Sequence, residues 1–182
     1  MKENKKTNEV MLSELKPGGE FQLAGRTFLV LEHSKEGTAV ISKGFWGKSR
    51  KFGDGTNYKE SGLKSHMENG VLPELEKAVG AENILKNEAD FTSVCGKNEF
   101  GTVICKVRPL TFLEVRKYTD IIENRELDDW WWTCTPWSTE ERGWKYSVAV
   151  VSPSGCIVSN VFSRSYGVRP FCILKSDLFV SF

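Results

Sequence analysis

Long apolar runs, metal-spaced cysteines and histidines are all scarce in this sequence. No stretch approaches the roughly 18–20 apolar residues that cross a bilayer. The opening Met1-Lys2-Glu3-Asn4-Lys5-Lys6 is charged where a secretion signal would be apolar. Five cysteines, Cys95, Cys105, Cys134, Cys156 and Cys172, fall at irregular spacing with no Cys-x-x-Cys pair, which argues against a zinc ribbon or a thioredoxin-like motif. Most of them sit in apolar or strand-like runs, as buried free thiols do, so the expected setting is reducing and cytoplasmic. The only histidines are His33 and His66. There is no His-x-x-x-His, no EF-hand spacing, no Gly-x-Ser-x-Gly elbow and no cysteine-protease signature. The expectation is therefore a protein that is not an enzyme and holds no cofactor or metal. A couple between Cys134 or Cys156 and one of the histidines would have to be assembled by the tertiary fold. The net charge of +1 excludes a global polycation built for nucleic acid but leaves room for a local patch.

What is present fits a globular domain. A chain of 182 residues with a 40% hydrophobic fraction can form one core without staples. Residues 1–10, rich in Lys, Asn and Glu, read as a disordered arm, which leaves a single domain over 11–182. Phe21–Leu23 and Thr27–Leu31 read as strands joined by a tight turn at Ala24-Gly25, and Thr38–Ser42 as a third strand, giving a β-meander. Residues 43–62, rich in Gly, Lys and Ser, read as a long loop. Helical segments follow over Lys59–Asn69 and Leu72–Val79, the latter with Pro73 at its first turn and Gly80 as its stop. Val103–Val107 reads as a strand. Thr111-Phe112-Leu113-Glu114 is a capping box, followed by Phe112, Val115, Thr119 and Ile122 on one helical face. From Trp130 the pattern is β: a hairpin of Tyr146–Val151 and Cys156–Val161, then a strand over Val168–Leu174. Strands at both ends with helices between predict an α+β fold.

Several groups of residues could carry function. Five of the six tryptophans, Trp130, Trp131, Trp132, Trp137 and Trp144, lie close together. They could form a stacking platform, or they could be core; Trp137, on a Pro/Ser-rich loop, is the one expected to be exposed. A basic stretch, Lys43, Lys48, Arg50, Lys51, Lys59 and Lys64, is interleaved with Phe45, Trp46, Phe52 and Tyr58. Cations can hold a phosphate backbone while rings stack on bases, so DNA or RNA contact over Lys43–Lys64 is one reading and a solvated loop is the other. The acidic run Asp120, Glu123, Glu126, Asp128 and Asp129 could imitate a nucleic-acid backbone, or be a solvated helix face. Gly53-Asp54-Gly55-Thr56 lacks the remaining features of a phosphate loop and reads as a turn. Arg169, between Val168 and Pro170 in a strand that should be buried, needs a carboxylate or carbonyls for its donors.

Four blocks together resemble a family of uncharacterised domains found in gut Firmicutes and their phages. They are Gly25-Arg26-Thr27-Phe28-Leu29-Val30-Leu31; Asn57-Tyr58-Lys59-Glu60-Ser61-Gly62-Leu63-Lys64; Val107-Arg108-Pro109-Leu110-Thr111-Phe112-Leu113-Glu114-Val115; and the tail, Trp130 to Pro136, the Gly155 hairpin and Tyr166-Gly167-Val168-Arg169-Pro170. One departure is Trp132-Thr133-Cys134, where that family has Leu-Arg-Ser after its Trp pair. The resemblance implies a fold similar to the C-type-lectin-like and formylglycine-generating-enzyme folds and no known activity. No Glu-Pro-Asn or Trp-Asn-Asp calcium triplet is present. The size and the implied source are also similar to small anti-CRISPR proteins. On that resemblance the expected function is a phage or mobile-element inhibitor that binds the type II RNA-guided nuclease with its guide. Its expected contacts are Trp46, Lys48, Arg50, Lys51, Tyr58, Lys59, Lys64 and Trp137. The alternatives are a glycan- or receptor-recognition module of a phage structure and a DNA-binding accessory protein.

Overall fold

A computed structural model describes residues 8–122 and 127–182. The chain opens with β1 (Glu9–Met11), β2 (Glu20–Leu23), β3 (Arg26–His33) and β4 (Thr38–Ser42). Ala24 and Gly25 join β2 to β3 at φ of 49° and 71°. Two central residues at positive φ make the two-residue turn whose twist matches its strands. Next come β5 (Arg50–Lys51), a 3-10 turn (Tyr58–Glu60), α1 (Gly62–His66), one π turn (Met67–Val71) and α2 (Leu72–Val79). Four short strands, β6 (Ile84–Leu85), β7 (Asn87–Asp90), β8 (Thr102–Cys105) and β9 (Val107–Arg108), lead to α3 (Phe112–Lys117). The remainder is β10 (Trp131–Pro136), β11 (Ser147–Val151), β12 (Ile157–Val161), β13 (Ser165–Tyr166), β14 (Phe171–Leu174) and β15 (Phe179–Ser181). The architecture is α+β, as the element pattern predicts.

The main sheet runs β1-β15-β2-β3-β4-β14-β6, with β9 also on β14; β10-β11-β12 form a second sheet, and β5-β13 and β7-β8 are two-stranded ribbons. The strands pair antiparallel. Both ends of the described chain enter the main sheet, since β1 pairs with β15.

Alternation along the central strands divides the interior in two. Phe28, Val30, Val40, Cys172 and Leu174 face a larger cluster with Trp46, Phe52, Tyr58, Leu63, Met67, Phe91 and Trp132. Leu29, Leu31, Ala39, Ile41 and Phe171 face a smaller one with Leu110, Val115, Tyr118, Ile122 and Trp131. Successive tryptophans of β10 thus enter opposite clusters, and both Trp131 and Trp132 have 0% exposure. Covering on both sides of β10 decides for the core reading of these rings.

Several boundaries move from their expected places. The arm predicted over 1–10 ends inside the sheet, because Glu9–Met11 is β1; residues 1–7 lie outside the described residues. The helix expected over Lys59–Asn69 is divided between the 3-10 turn, α1 and the π turn. The capping box forms as expected, with Thr111 and Glu114 each accepting from the other's backbone N–H. The helix it starts closes at Lys117, so Tyr118 rather than Thr119 joins Val115 and Ile122 inside. The strand expected over Val103–Val107 splits into β8 and β9, and the last expected strand begins at Phe171. Among the described residues no helix is long and apolar enough to cross a membrane.

Candidate functional site

Residues 43–62, expected as a long loop, are mostly irregular but pinned, with β5 and the 3-10 turn within them. Backbone bonds tie them down: Trp46 N–H donates to Val168 O at 2.8 Å, Phe52 N–H to Phe162 O at 3.0 Å and Leu63 N–H to Phe52 O at 2.9 Å. β5 pairs with β13 in the register Arg50 to Tyr166 and Lys51 to Ser165. Polar backbone groups that find protein partners can approach a core without penalty, and the segment's rings do so.

Those rings require a correction. Trp46 and Tyr58, expected at the contact surface, are 2% and 1% exposed, and Phe52 is fully buried. Phe52 packs edge-on against Trp132 at 5.5 Å between centroids and lies 6.1 Å from Tyr58, which in turn meets Phe91 at 5.6 Å. Trp46 meets Phe28 at 6.3 Å and carries the Arg26 guanidinium 4.2 Å above its ring. Trp132 Nε1 donates to Arg50 O at 2.8 Å, joining the tryptophan-rich sheet to the ribbon. The rings are anchors, and base stacking by them is excluded. Trp137 is half-buried, whereas Trp144 and Tyr146 are each 54% exposed. Rings among cations look alike in sequence whether they are anchors or platforms; only the strands that cover them separate the two.

With the rings turned inward, the cations remain outside. Lys48, Lys51 and Lys59 are exposed and Arg50 is half-buried. Arg164, also exposed, precedes the Ser165 that pairs with Lys51. None of these five has a carboxylate within ion-pair distance among the described residues. Two other expected contacts differ from them. Lys43 is bridged to Glu20 and Lys64 to Glu68, both at 2.7 Å. Beside the ribbon, Ser49 Oγ donates to Asp129 Oδ2 at 3.1 Å. Of the expected acidic run, Asp120, Asp128 and Asp129 are described, and Glu123 and Glu126 lie outside the described residues.

Two clefts open on the smaller-cluster side, the second of them beside α3. The larger, about 610 Å³, has Leu29, Phe45, Ile121 and Leu127 in its walls and the Glu20–Lys43 pair at its edge. The other, about 310 Å³, is lined in part by groups that satisfy one another. There Arg108 grips Glu114 through both terminal nitrogens at 2.6 and 2.7 Å, donates Nε to Asn87 Oδ1 at 2.9 Å and lies over the Phe171 ring. Burial pushes the Glu114 carboxyl up, but the fork outweighs it and holds the group below its ordinary range. Tyr118 donates to Glu32 at 2.7 Å, and burial with that bond raises its hydroxyl to about 12.

This buried fork was not expected from the sequence. Its visible trace is that Arg-Pro occurs twice in strand-like runs, at Arg108-Pro109 and Arg169-Pro170. Of the two, the sequence marks Arg169 as the one that needs partners. It is wholly buried, donates Nε to Ser42 O at 3.0 Å and lies 5.0 Å from the Trp131 ring, so the carbonyl part of the expectation is met.

A cysteine–histidine couple is not formed by Cys134. Burial raises its thiol, which donates to Pro109 O at 3.4 Å. The His33 ring lies between Thr38 Oγ1 at 2.8 Å and Leu15 O at 2.7 Å. No cluster of three or more His, Cys, Asp or Glu suited to a metal occurs among the described residues.

The chain belongs to the DUF6273 family, a domain of unknown function, whose model matches residues 29–176. No curated protein and no solved structure matches the chain. The implied likeness to the C-type-lectin-like and formylglycine-generating-enzyme folds therefore rests on the sequence blocks.

Proposed function

We propose that this domain acts by binding, without catalysis, and that it engages a phosphate-bearing strand through Lys48, Arg50, Lys51, Lys59 and Arg164. One observation carries the reading: these cations share a rigid, ring-anchored segment and its paired ribbon, and none is neutralised by a carboxylate among the described residues. Such contacts position a nucleic-acid backbone without reading its sequence. Trp46 and Tyr58 hold the segment in place in this reading, and Lys43 and Lys64 stay in their ion pairs. The type II RNA-guided nuclease with its guide is the partner the sequence blocks suggest, since it carries accessible phosphates along a displaced strand and a heteroduplex.

Binding of a labelled single-stranded oligonucleotide across a salt series tests the proposal. Four or five phosphate contacts give a slope of log K against log salt of about −3. A flat response sinks the reading. Target cleavage by the loaded nuclease tests the partner separately, because undiminished cleavage at saturating protein removes that nuclease and leaves the phosphate contact standing. A second reading, glycan recognition, draws on the exposed rings of Trp144 and Tyr146; a glycan array that gives no signal removes it.

A further inference from the structure

The second sheet ends in an open edge. Among the described residues β12 pairs with β11 alone, in an unbroken register from Ser147–Val161 to Val151–Ile157. Two flanking bonds fix which way its backbone points: Phe162 N–H donates to Tyr146 O at 3.1 Å and Ser152 N–H to Cys156 O at 2.9 Å. Val158 and Asn160 therefore address β11, and Ile157, Ser159 and Val161 turn their N–H and C=O groups the other way. Val161 is held locally: its N–H donates to Asn160 Oδ1 at 3.0 Å and its carbonyl accepts from Arg164 N–H at 3.0 Å. The outward backbone groups of Ile157 and Ser159 have no hydrogen-bond partner among the described residues.

Natural sheet edges are usually blunted by charge, proline or a bulge. β12 reads Ile157-Val158-Ser159-Asn160-Val161 and has none of these. Its two faces are anchored, since Val158 packs against the larger cluster and Ile157 against the smaller. Val161 is exposed, and so are Trp144 and Tyr146, the latter beside the end of β12 through its bond from Phe162. Exposed apolar groups gathered at one end of an open edge mark a contact surface, whereas single ones would need no explanation.

We infer that this edge takes β12 of a second copy of the chain, antiparallel, about a twofold axis through Ser159. The strand is its own complement in that register. Ser159 of one copy faces Ser159 of the other, Ile157 faces Val161, and Val158 faces Asn160. No like charges meet, and Ile157 with Val161 makes a β-branched pair of the kind that supports antiparallel sheets. The two Ser159 residues exchange N–H···O=C bonds. Each Ile157 N–H reaches the opposing Val161 carbonyl, which has a second lone pair. The Val161 N–H then leaves Asn160 for the opposing Ile157 carbonyl. A twofold contact uses one patch twice and closes, so both copies of β12 lose their open edge. The inference stands apart from the phosphate-binding reading, because no residue of β12 belongs to the cationic set.

Sedimentation of the full chain over a concentration series, with amide exchange followed at Ser159, tests the inference. The mass should rise from one chain toward two. Exchange at Ser159 should slow by about tenfold or more as the dimer fills, while Val158 and Asn160, already bonded to β11, change less. Ser159→Pro removes the N–H on the axis without touching the β11 ladder and should leave a monomer at every concentration. If that variant does not fold, Val161→Lys sets a charge at an exposed edge position and should likewise give a monomer. A parent chain that stays monomeric overturns the inference; protection of Ser159 gained in that monomer only on adding an extended peptide would assign the edge to a foreign strand. A dimer that survives both substitutions, or that forms with Ser159 exchange unchanged, overturns it as well.

Discussion

The two faces of the central sheet are closed by different means. On the Phe28–Val30–Val40 face, rings arrive from four separate stretches, as Trp46, Phe52 and Tyr58, Phe91, Trp132 and Tyr166 pack in sequence. On the Leu29–Ile41–Phe171 face the helical cover is the six-residue α3, with open clefts and charged side chains at its margins. One side gains stability from apolar area and dispersion. The other is finished by polar contacts, the Arg108 fork on Glu114, costly to break by removing one member, and the single Tyr118 hydrogen bond to Glu32. The cationic segment belongs to the first side. Its rigidity comes from rings buried beneath it, and its charge is free to face outward.

The largest effect should come from the ring side. Phe52→Ala should cost about 3–5 kcal/mol, measured by urea unfolding; a loss below about 1 kcal/mol would mean that the segment is not anchored by its rings. Next is the fork. Glu114→Ala leaves Arg108 buried and unpaired, with an expected cost of about 3 kcal/mol. Glu114 is lowered from its ordinary value of 4.5. Its contribution is therefore fully present above that pH and lost as pH falls through the lower folded value. Acid titration of stability should show this step in the parent and lack it in Glu114→Ala; identical acid limbs would contradict the assignment. Smallest in stability is the double change Lys48→Gln with Lys51→Gln, expected within about 0.5 kcal/mol, with oligonucleotide affinity reduced and the salt slope shallower by about 1.4. A drop in Tm comparable to that of Phe52→Ala would place these lysines in the fold rather than on a contact surface.

Much of the frame was legible in the sequence because its signals are local. Ala24-Gly25 states a tight turn, Pro73 and Gly80 bracket α2, and Thr111 with Glu114 starts α3. Each depends on residues within a few positions of one another. The candidate segment is only partly legible for the same reason. Its cations can be listed from composition, but the fate of Trp46, Phe52 and Tyr58 depends on Val168, Phe28, Trp132 and Phe91, outside the segment. The same limit hid the reach from Arg108 to Asn87 and the exposure of Trp144 in place of Trp137.

By itself, then, the sequence determined the α+β class, the opening meander, the caps and the supply of cations, since turn chemistry and side-chain period act over short distances. Tertiary structure alone decided which rings are interior, which of the described cations lie without a carboxylate and what the Arg108 guanidinium reaches. Burial and pairing depend on what lies across the gap, and here many of the facing residues come from strands and loops tens of positions away.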